Sequence, residues 1–249
     1  MHYAPPAYLV RSKECGVRWV KIDLHVHTTV SMDSWISPEK LPEIAKRNGM
    51  DGIAVTDHNT TAAWQAVKRA AEKVGVAVIE GEEVRVKPAG RTVGEIIGLY
   101  MTDFVDGTGK TALEVIDALK AQDAVVVLPH PFDKYRKIFP EEELRELSVK
   151  VDAVEVFNPR IFAKGLNEKA RAFALEYGLA ETAGSDAHVP WEVGKAYTEA
   201  PAADVEGFRK ALLAHKTRAY GTCHPFITRI LPSLAKLKNR ILSMRPKQG

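Results

Sequence analysis

The sequence predicts an α/β protein whose strands close into a barrel. Three observations support this. Short β-branched runs alternate with helical patterns, which implies parallel strands joined by right-handed crossovers. Six or seven such units fit in the 249 residues, more than a small open sheet holds. Histidines and carboxylates recur at the C-terminal ends of these strands, the rim where such barrels build active sites.

The units run in order. "RWVKIDLHV" reads as the first strand. "SPEKLPEIAKRNG" reads as a helix with Ser37 as its cap, Pro38 in first position and Gly49 as its stop. "DGIAVTD" is a strand, and "TTAAWQAVKRAAEKVG" is a helix ending at Gly75. "VAVIEGEEVRV" and "TVGEIIGLYM" are two further strand regions. "GKTALEVIDALKAQ" is helical and "AVVVLPH" is a buried strand. "EEELRELSV" is a short helix before the strand "VDAVEVFN". "FAKGLNEKARAFALEYG" is a helix, and "LAETAGSDAH" is a strand with its exit loop. "ADVEGFRKALLAHK" is a helix, and "TRAYG" is a short edge strand.

Composition narrows the function. A 45% hydrophobic share supports a full core, and a net charge of +3 from mixed residues does not point to general nucleic-acid binding. The two cysteines, Cys15 and Cys223, form neither a disulfide framework nor a CxxC pair, which reads as a reducing compartment. "MHYAPPAYLVRSKECG" lacks the apolar core of a signal peptide, and no segment has the roughly 18 apolar residues of a membrane span. A soluble cytoplasmic protein is expected. Oligomeric state is not readable from the sequence.

The polar residues at the strand ends carry the chemistry. His25 and His27, at i and i+2, point to the same side of the first strand, and Asp33 follows close behind. Asp57 and His58 end the second strand. Glu82 and Glu83 lie on the third, where alternation lets only one point inward. His130, the pair Glu155 and Asn158, and the pair Asp186 and His188 end later strands. Imidazoles mixed with carboxylates and no thiolate disfavour a structural zinc site. These are more ligands than one ion uses, so two or three divalent ions sharing a bridging carboxylate are expected. Asp57 is expected to orient an imidazole or cap the next helix, and Glu155 to point away from Asn158. His2, His215 and His224 read as ordinary surface or core histidines.

The motifs "DLHVHT", "SMD", "AVTDHN", "GEE", "LPHP", "FN" and "GSDAH" occur in this order between about residues 20 and 222. In that order they resemble the PHP (polymerase and histidinol phosphatase) family of metallophosphoesterases. The resemblance implies a distorted (β/α)7 barrel related to the TIM barrel, holding up to three ions. It implies that His25, His27 and Asp186 hold one ion and that Glu83, selected by the Gly81-Glu82-Glu83 spacing, bridges to a second. His130 and Asn158 would hold that second ion, and Asp33, His58 and His188 a third. Manganese, zinc and iron all suit this set. The barrel is expected over residues 19–222, with an N-terminal extension at 1–18 and a basic helical tail at 223–249.

The resemblance further implies hydrolysis of phosphate esters by a metal-bound hydroxide at a di- or trinuclear site. Asp186 and His188 are the expected catalytic residues. Arg160 and Lys134, with Arg136 and Lys164 nearby, are candidates to clamp the substrate phosphate. A small phosphorylated molecule is the expected substrate: a nucleotide, a sugar phosphate or histidinol phosphate. A nuclease and a non-catalytic metal-binding module are the alternatives. In the tail, Ile227, Ile230, Leu231, Leu234, Leu237 and Ile241 recur at helical spacing among basic residues, with Pro232 beginning or interrupting the helix. Such a helix either packs on the barrel or lies on a membrane or partner surface.

Overall fold

A computed structural model describes residues 2–3, 18–163, 165–223 and 230–243. Among the described residues ten strands form one sheet in the order β1-β10-β9-β2-β3-β4-β5-β6-β7-β8, curled into a nearly closed barrel. The strands are β1 (His2–Tyr3), β2 (Trp19–Val26), β3 (Gly52–Val55), β4 (Ala77–Val86), β5 (Gly94–Leu99), β6 (Val125–Leu128), β7 (Ala153–Phe157), β8 (Ala180–Ala183), β9 (Ala196–Pro201) and β10 (Arg218–Thr222). The helices are α1 (Leu41–Arg47), α2 (Trp64–Val74), α3 (Ala112–Lys120), α4 (Glu141–Ser148), α5 (Leu166–Glu176), α6 (Val205–Leu213) and α7 (Leu231–Ser243).

Two apolar layers hold the barrel together. Inside, Ile22, Ile79, Ile97, Val125 and Ala153 pack with Phe208 and Leu212 of α6. Outside, Ile53, Val55, Val126, Leu128 and Val154 meet α1 to α5 through residues such as Leu41, Trp64, Ile116 and Leu144. The inner face is apolar where the parallel strands begin and polar where they end. β2 shifts register against β3 between Asp23 and Val26. That bulge changes the phase of alternation, so His25 and His27 face the interior together with Ile22.

The barrel closes without a full ladder. The Ala183 N–H donates to Thr198 Oγ1 (2.8 Å), whose hydroxyl donates to the Ala183 carbonyl (3.0 Å). The Asp23 carboxylate accepts from the backbone N–H of Ser185 (2.8 Å) and of Gly194 (2.8 Å). Burial pushes the Asp23 carboxyl up to about 6 even though these donors oppose it. Gly184 is required at this seam, since a Cβ there would lie 2.3 Å from His25 Cβ.

Several expectations are corrected. The strands are not all parallel: β5 runs antiparallel to β4 and β6, because a hairpin and not a helix links β4 to β5. β9, absent from the sequence reading, runs antiparallel to β2. "TRAYG" is not an edge strand, because His2–Tyr3 pairs along its outer side. The first helix begins at Leu41, not at Pro38, and Ser37 is not its side-chain cap. Pro42 lacks an N–H to donate, which interrupts the ladder at the expected start. By contrast, Thr111 and Glu114 form a capping box that starts α3. Cys15, His224 and Ile227 lie outside the described residues, as does most of the N-terminal extension.

Thr198→Val keeps the side-chain shape but leaves the buried Ala183 N–H without its acceptor. The expected destabilisation is about 1–3 kcal/mol in urea unfolding. An unchanged midpoint would show that this seam contact does not hold the barrel.

Candidate metal centre

Glu83 stands at the middle of the polar rim. Its Oε1 lies 2.9 Å from His130 Nε2 and 3.5 Å from His25 Nε2. Its Oε2 lies 2.9 Å from His58 Nδ1, off hydrogen-bond alignment, and 3.4 Å from His27 Nε2. Glu82 faces away and accepts from Val105 N (3.0 Å), and burial pushes its carboxyl up to about 7. Asp186 Oδ1 lies 3.5 Å from both His27 Nε2 and His188 Nδ1. Asp33 lies 3.4 Å from His58 Nε2 and 3.8 Å from His188 Nε2.

These contacts fall into overlapping sets. One donor atom each from His27, Asp33, His58 and His188 lies within 4.8 Å of the others, and the same holds for His25, His27 and Glu83. His25, His130 and Asp186 form a third set, and His58, Glu83 and Glu95 a fourth. The backbone supports this crowding at some cost. His130 (φ 29°) and Asp186 (φ 51°) both turn off their strands in the left-handed region.

Burial alone would neutralise these groups, and their neighbours decide otherwise. Burial pushes Glu83 and Asp186 up, but the surrounding charges hold both well below the usual carboxylate range. For Glu83 these are His58 and His25, and for Asp186 they are Arg136 and His25. Burial pulls the His25 ring down, yet Glu155, Glu83 and Asp186 carry it well above its ordinary value. His58 is likewise raised, against burial, chiefly by Glu83. His188 falls well below its ordinary value through burial, with His27 and Arg160 adding to the effect.

Other side chains hold this set in place. Glu155 Oε1 meets His25 Nδ1 at 3.0 Å, and Oε2 accepts from His130 N (2.9 Å). Glu155 therefore points into the site, contrary to expectation, because β7 breaks its register between Glu155 and Phe157. The Asn158 amide nitrogen donates to Glu155 (2.9 Å) and Asp186 (3.1 Å), while its oxygen accepts from Arg160 N (2.9 Å). The atom that would ligate an ion is thus turned to the backbone. Asp57 neither orients an imidazole nor caps a helix. It accepts from Thr28 N and Thr28 Oγ1, both at 2.6 Å, and so fixes the chain as it leaves His27.

A cleft of about 390 Å³ opens over Asp33, His58 and His188. Arg160 lines it, held by Glu192 at 3.0 Å. Lys134 is exposed and is not among the residues that line it, and Lys164 lies outside the described residues. Arg136 does line it, paired with Asp133 at 3.3 Å and with Asp186.

The sequence reading missed Glu95 and Glu192. Glu95 faces His58 and His130, each at 3.7 Å, because it pairs across the β4–β5 hairpin with Arg85. Only that register puts it on the Glu83 face. Glu192 Oε2 accepts from His188 N (2.8 Å), a turn contact with no motif around it.

The chain resembles known proteins at both the sequence and the fold level. A family model for the PHP domain matches residues 23–177, and one for the PHP-associated region matches residues 164–217. An uncharacterized protein of Methanocaldococcus jannaschii is 36% identical over 193 residues, covering 75% of this chain and 73% of that protein. A two-domain protein of Bacteroides vulgatus, containing a predicted PHP-like metal-dependent phosphoesterase, superposes with a TM-score of 0.69 at 22% identity. The match covers 84% of this chain and 66% of that one, just under two thirds. The lesion-specific endonuclease of Pyrococcus furiosus superposes with a TM-score of 0.59 at 17% identity, over 79% of this chain and 56% of that one. At these identities the two superpositions carry the fold alone.

In metal-free protein, Glu83→Gln removes the carboxylate that raises the His58 and His25 rings. Both should titrate at lower pH than in the wild type, as followed by NMR of the ring resonances. Unchanged titrations would mean that Glu83 does not set their charge.

Proposed function

The chain belongs to the PHP-domain family of metal-dependent phosphoesterases, and from that premise we propose that it hydrolyses a phosphate ester of a small molecule. One observation carries the metal assignment. Donor atoms of His27, Asp33, His58 and His188, of His25, His27 and Glu83, and of His25, His130 and Asp186 converge in sets within 4.8 Å of one another, and the buried Glu83 Oε2 and Asp186 Oδ1 have no hydrogen-bond partner. Leaving buried carboxylate oxygens unpaired amid so many ligand atoms is costly unless they ligate something.

The residues fit two or three divalent ions. His25, His27 and Asp186 would hold one, with Glu83 shared with a second near His130. Asp33, His58 and His188 would hold a third. Asn158 acts as a support for Asp186 and not as a ligand. Bound divalent ions neutralise phosphate charge and lower the pKa of a water ligand to about 7.

The chain's own groups do the rest. Arg136 and Arg160 present guanidinium groups to the phosphate oxygens at the cleft. Glu155 fixes the His25 ring through Nδ1, which leaves Nε2 directed at Glu83 and His27. Glu192 anchors the loop that presents His188. A cleft of about 390 Å³ matches a small-molecule pocket. The nuclease reading draws on the same basic lining. A salt-steep affinity for single-stranded DNA or RNA would favour it over a small ester.

Phosphate release from a panel of mono- and diesters, by metal-free protein reloaded with Mn²⁺, tests the proposal. Release should depend on metal and fall at least about a hundredfold in Asp186→Asn with the fold intact. Wild-type turnover by Asp186→Asn at full metal occupancy would contradict it. Metal binding should also release protons. The carboxylates around His25 and His58 raise both rings above the ordinary histidine value and so favour the protonated forms, whose protons an ion must displace. Affinity should therefore rise with pH. Calorimetry in buffers of different ionisation enthalpy reads the proton release directly, and identical heats would rule it out.

A further inference from the structure

Helix α7 lies beyond residues 23–217, the span that the two family models cover. It is fastened to the mouth of the site. Trp35 Nε1 donates to the Leu231 carbonyl (3.1 Å), and Asn239 Nδ2 donates to the carbonyls of Met32 (2.9 Å) and Ser34 (3.3 Å). Lys238 Nζ sits 4.2 Å from the centre of the Trp35 ring, and Ala235 is fully buried. All these contacts reach the short loop that carries Asp33. The helix turn that follows Leu231 therefore stands over the cleft, where Pro232 and Lys236 join Asp33, His58 and His188 in the lining.

The cations of the cleft divide into two groups. Arg85 pairs with Glu95 (3.1 Å), Arg136 with Asp133 and Asp186, and Arg160 with Glu192 (3.0 Å). Lys137, from the loop after β6, and Lys236 line the same cleft and have no ion pair among the described residues. The three arginines are thus anchored by carboxylates of the rim beside the site of the reacting phosphate, and the two lysines carry charge that no carboxylate among the described residues answers. The cleft has room for more than the reacting phosphate. A lysine ammonium is a flexible point charge that suits a carboxylate or a phosphate equally.

We propose that α7 forms the outer wall of the cleft, and that Lys236 and Lys137 bind an anionic group of the substrate distal to the reacting phosphate. The substrate class is then a phosphate ester with a second phosphate or a carboxylate at its far end. This rests on the phosphoesterase reading above.

Non-hydrolysable phosphonates separate the two. Phenylphosphonate, its para-carboxylate and para-phenylene bisphosphonate are titrated into the Mn²⁺-loaded full chain by calorimetry. The wild type should bind one or both of the doubly anionic probes about tenfold more tightly than phenylphosphonate, the effect of one charge-assisted hydrogen bond. Which probe gains names the distal group as carboxylate or phosphate. Lys236→Ala and Lys137→Ala should each erode that preference while still binding phenylphosphonate. Lys216→Ala, an exposed lysine elsewhere, should keep it. Equal affinity of the wild type for all three probes would overturn the distal site. So would a Lys236→Ala protein that weakens all three alike or retains the preference. Failure of every probe to bind, together with no turnover of any ester, would instead bring down the phosphoesterase reading itself.

Discussion

A carboxylate with no solvent exposure, Glu83, sits within 3.5 Å of four imidazoles. A charge in that position is costly unless opposite charge surrounds it closely. The rest of the site answers this demand. His25 and His58 are held toward their protonated forms by Glu83 and its acidic neighbours, and Asp186 is held ionised by Arg136 and His25. In the proposed metal-loaded protein the ions take over that role. The same crowding of donors and acceptors then becomes a binding site instead of a burden on the fold.

The barrel's irregularities are what make this crowding possible. A regular β2 would turn Ile22 and His25 to opposite faces, and the bulge after Asp23 brings them to one. A regular β7 would separate Glu155 from Asn158, and its own break lets both reach the site. The seam lacks a full ladder, and Thr198 and Asp23 supply the missing bonds close to His25 and Asp186. Stability and site geometry therefore depend on the same few contacts. Positive φ at His130 and Asp186 fits this picture, since strain of this kind persists only where surrounding structure enforces it.

Much of this was legible in the sequence because it is local. Two histidines at i and i+2, a Gly-x-Glu spacing and strand ends rich in polar groups are read within a few residues of one another. His25, His27, Asp33, His58, Glu83, His130, Asp186 and His188 come together in space as that reading expected. What escaped depends on pairing between distant segments. Glu95 reaches the site only through the register that sets it opposite Arg85. Glu155 does so only through a bulge, which no alternation rule foretells. The antiparallel course of β5 and β9 follows from how the sheet is joined and not from strand composition. The tail could be read as a helix, but its contact with Trp35 and the Asp33 loop could not.

The central claim is that this rim is a multinuclear metal centre organised by Glu83. The most direct test is the number of ions bound per chain, measured by elemental analysis after metal-free protein is reloaded with Mn²⁺ and desalted. The account predicts two or three ions in the wild type and the loss of more than one in Glu83→Ala, because Glu83 faces rings from several of the ligand sets. A wild-type count of one or none, or a Glu83→Ala protein that keeps the full count, would contradict it.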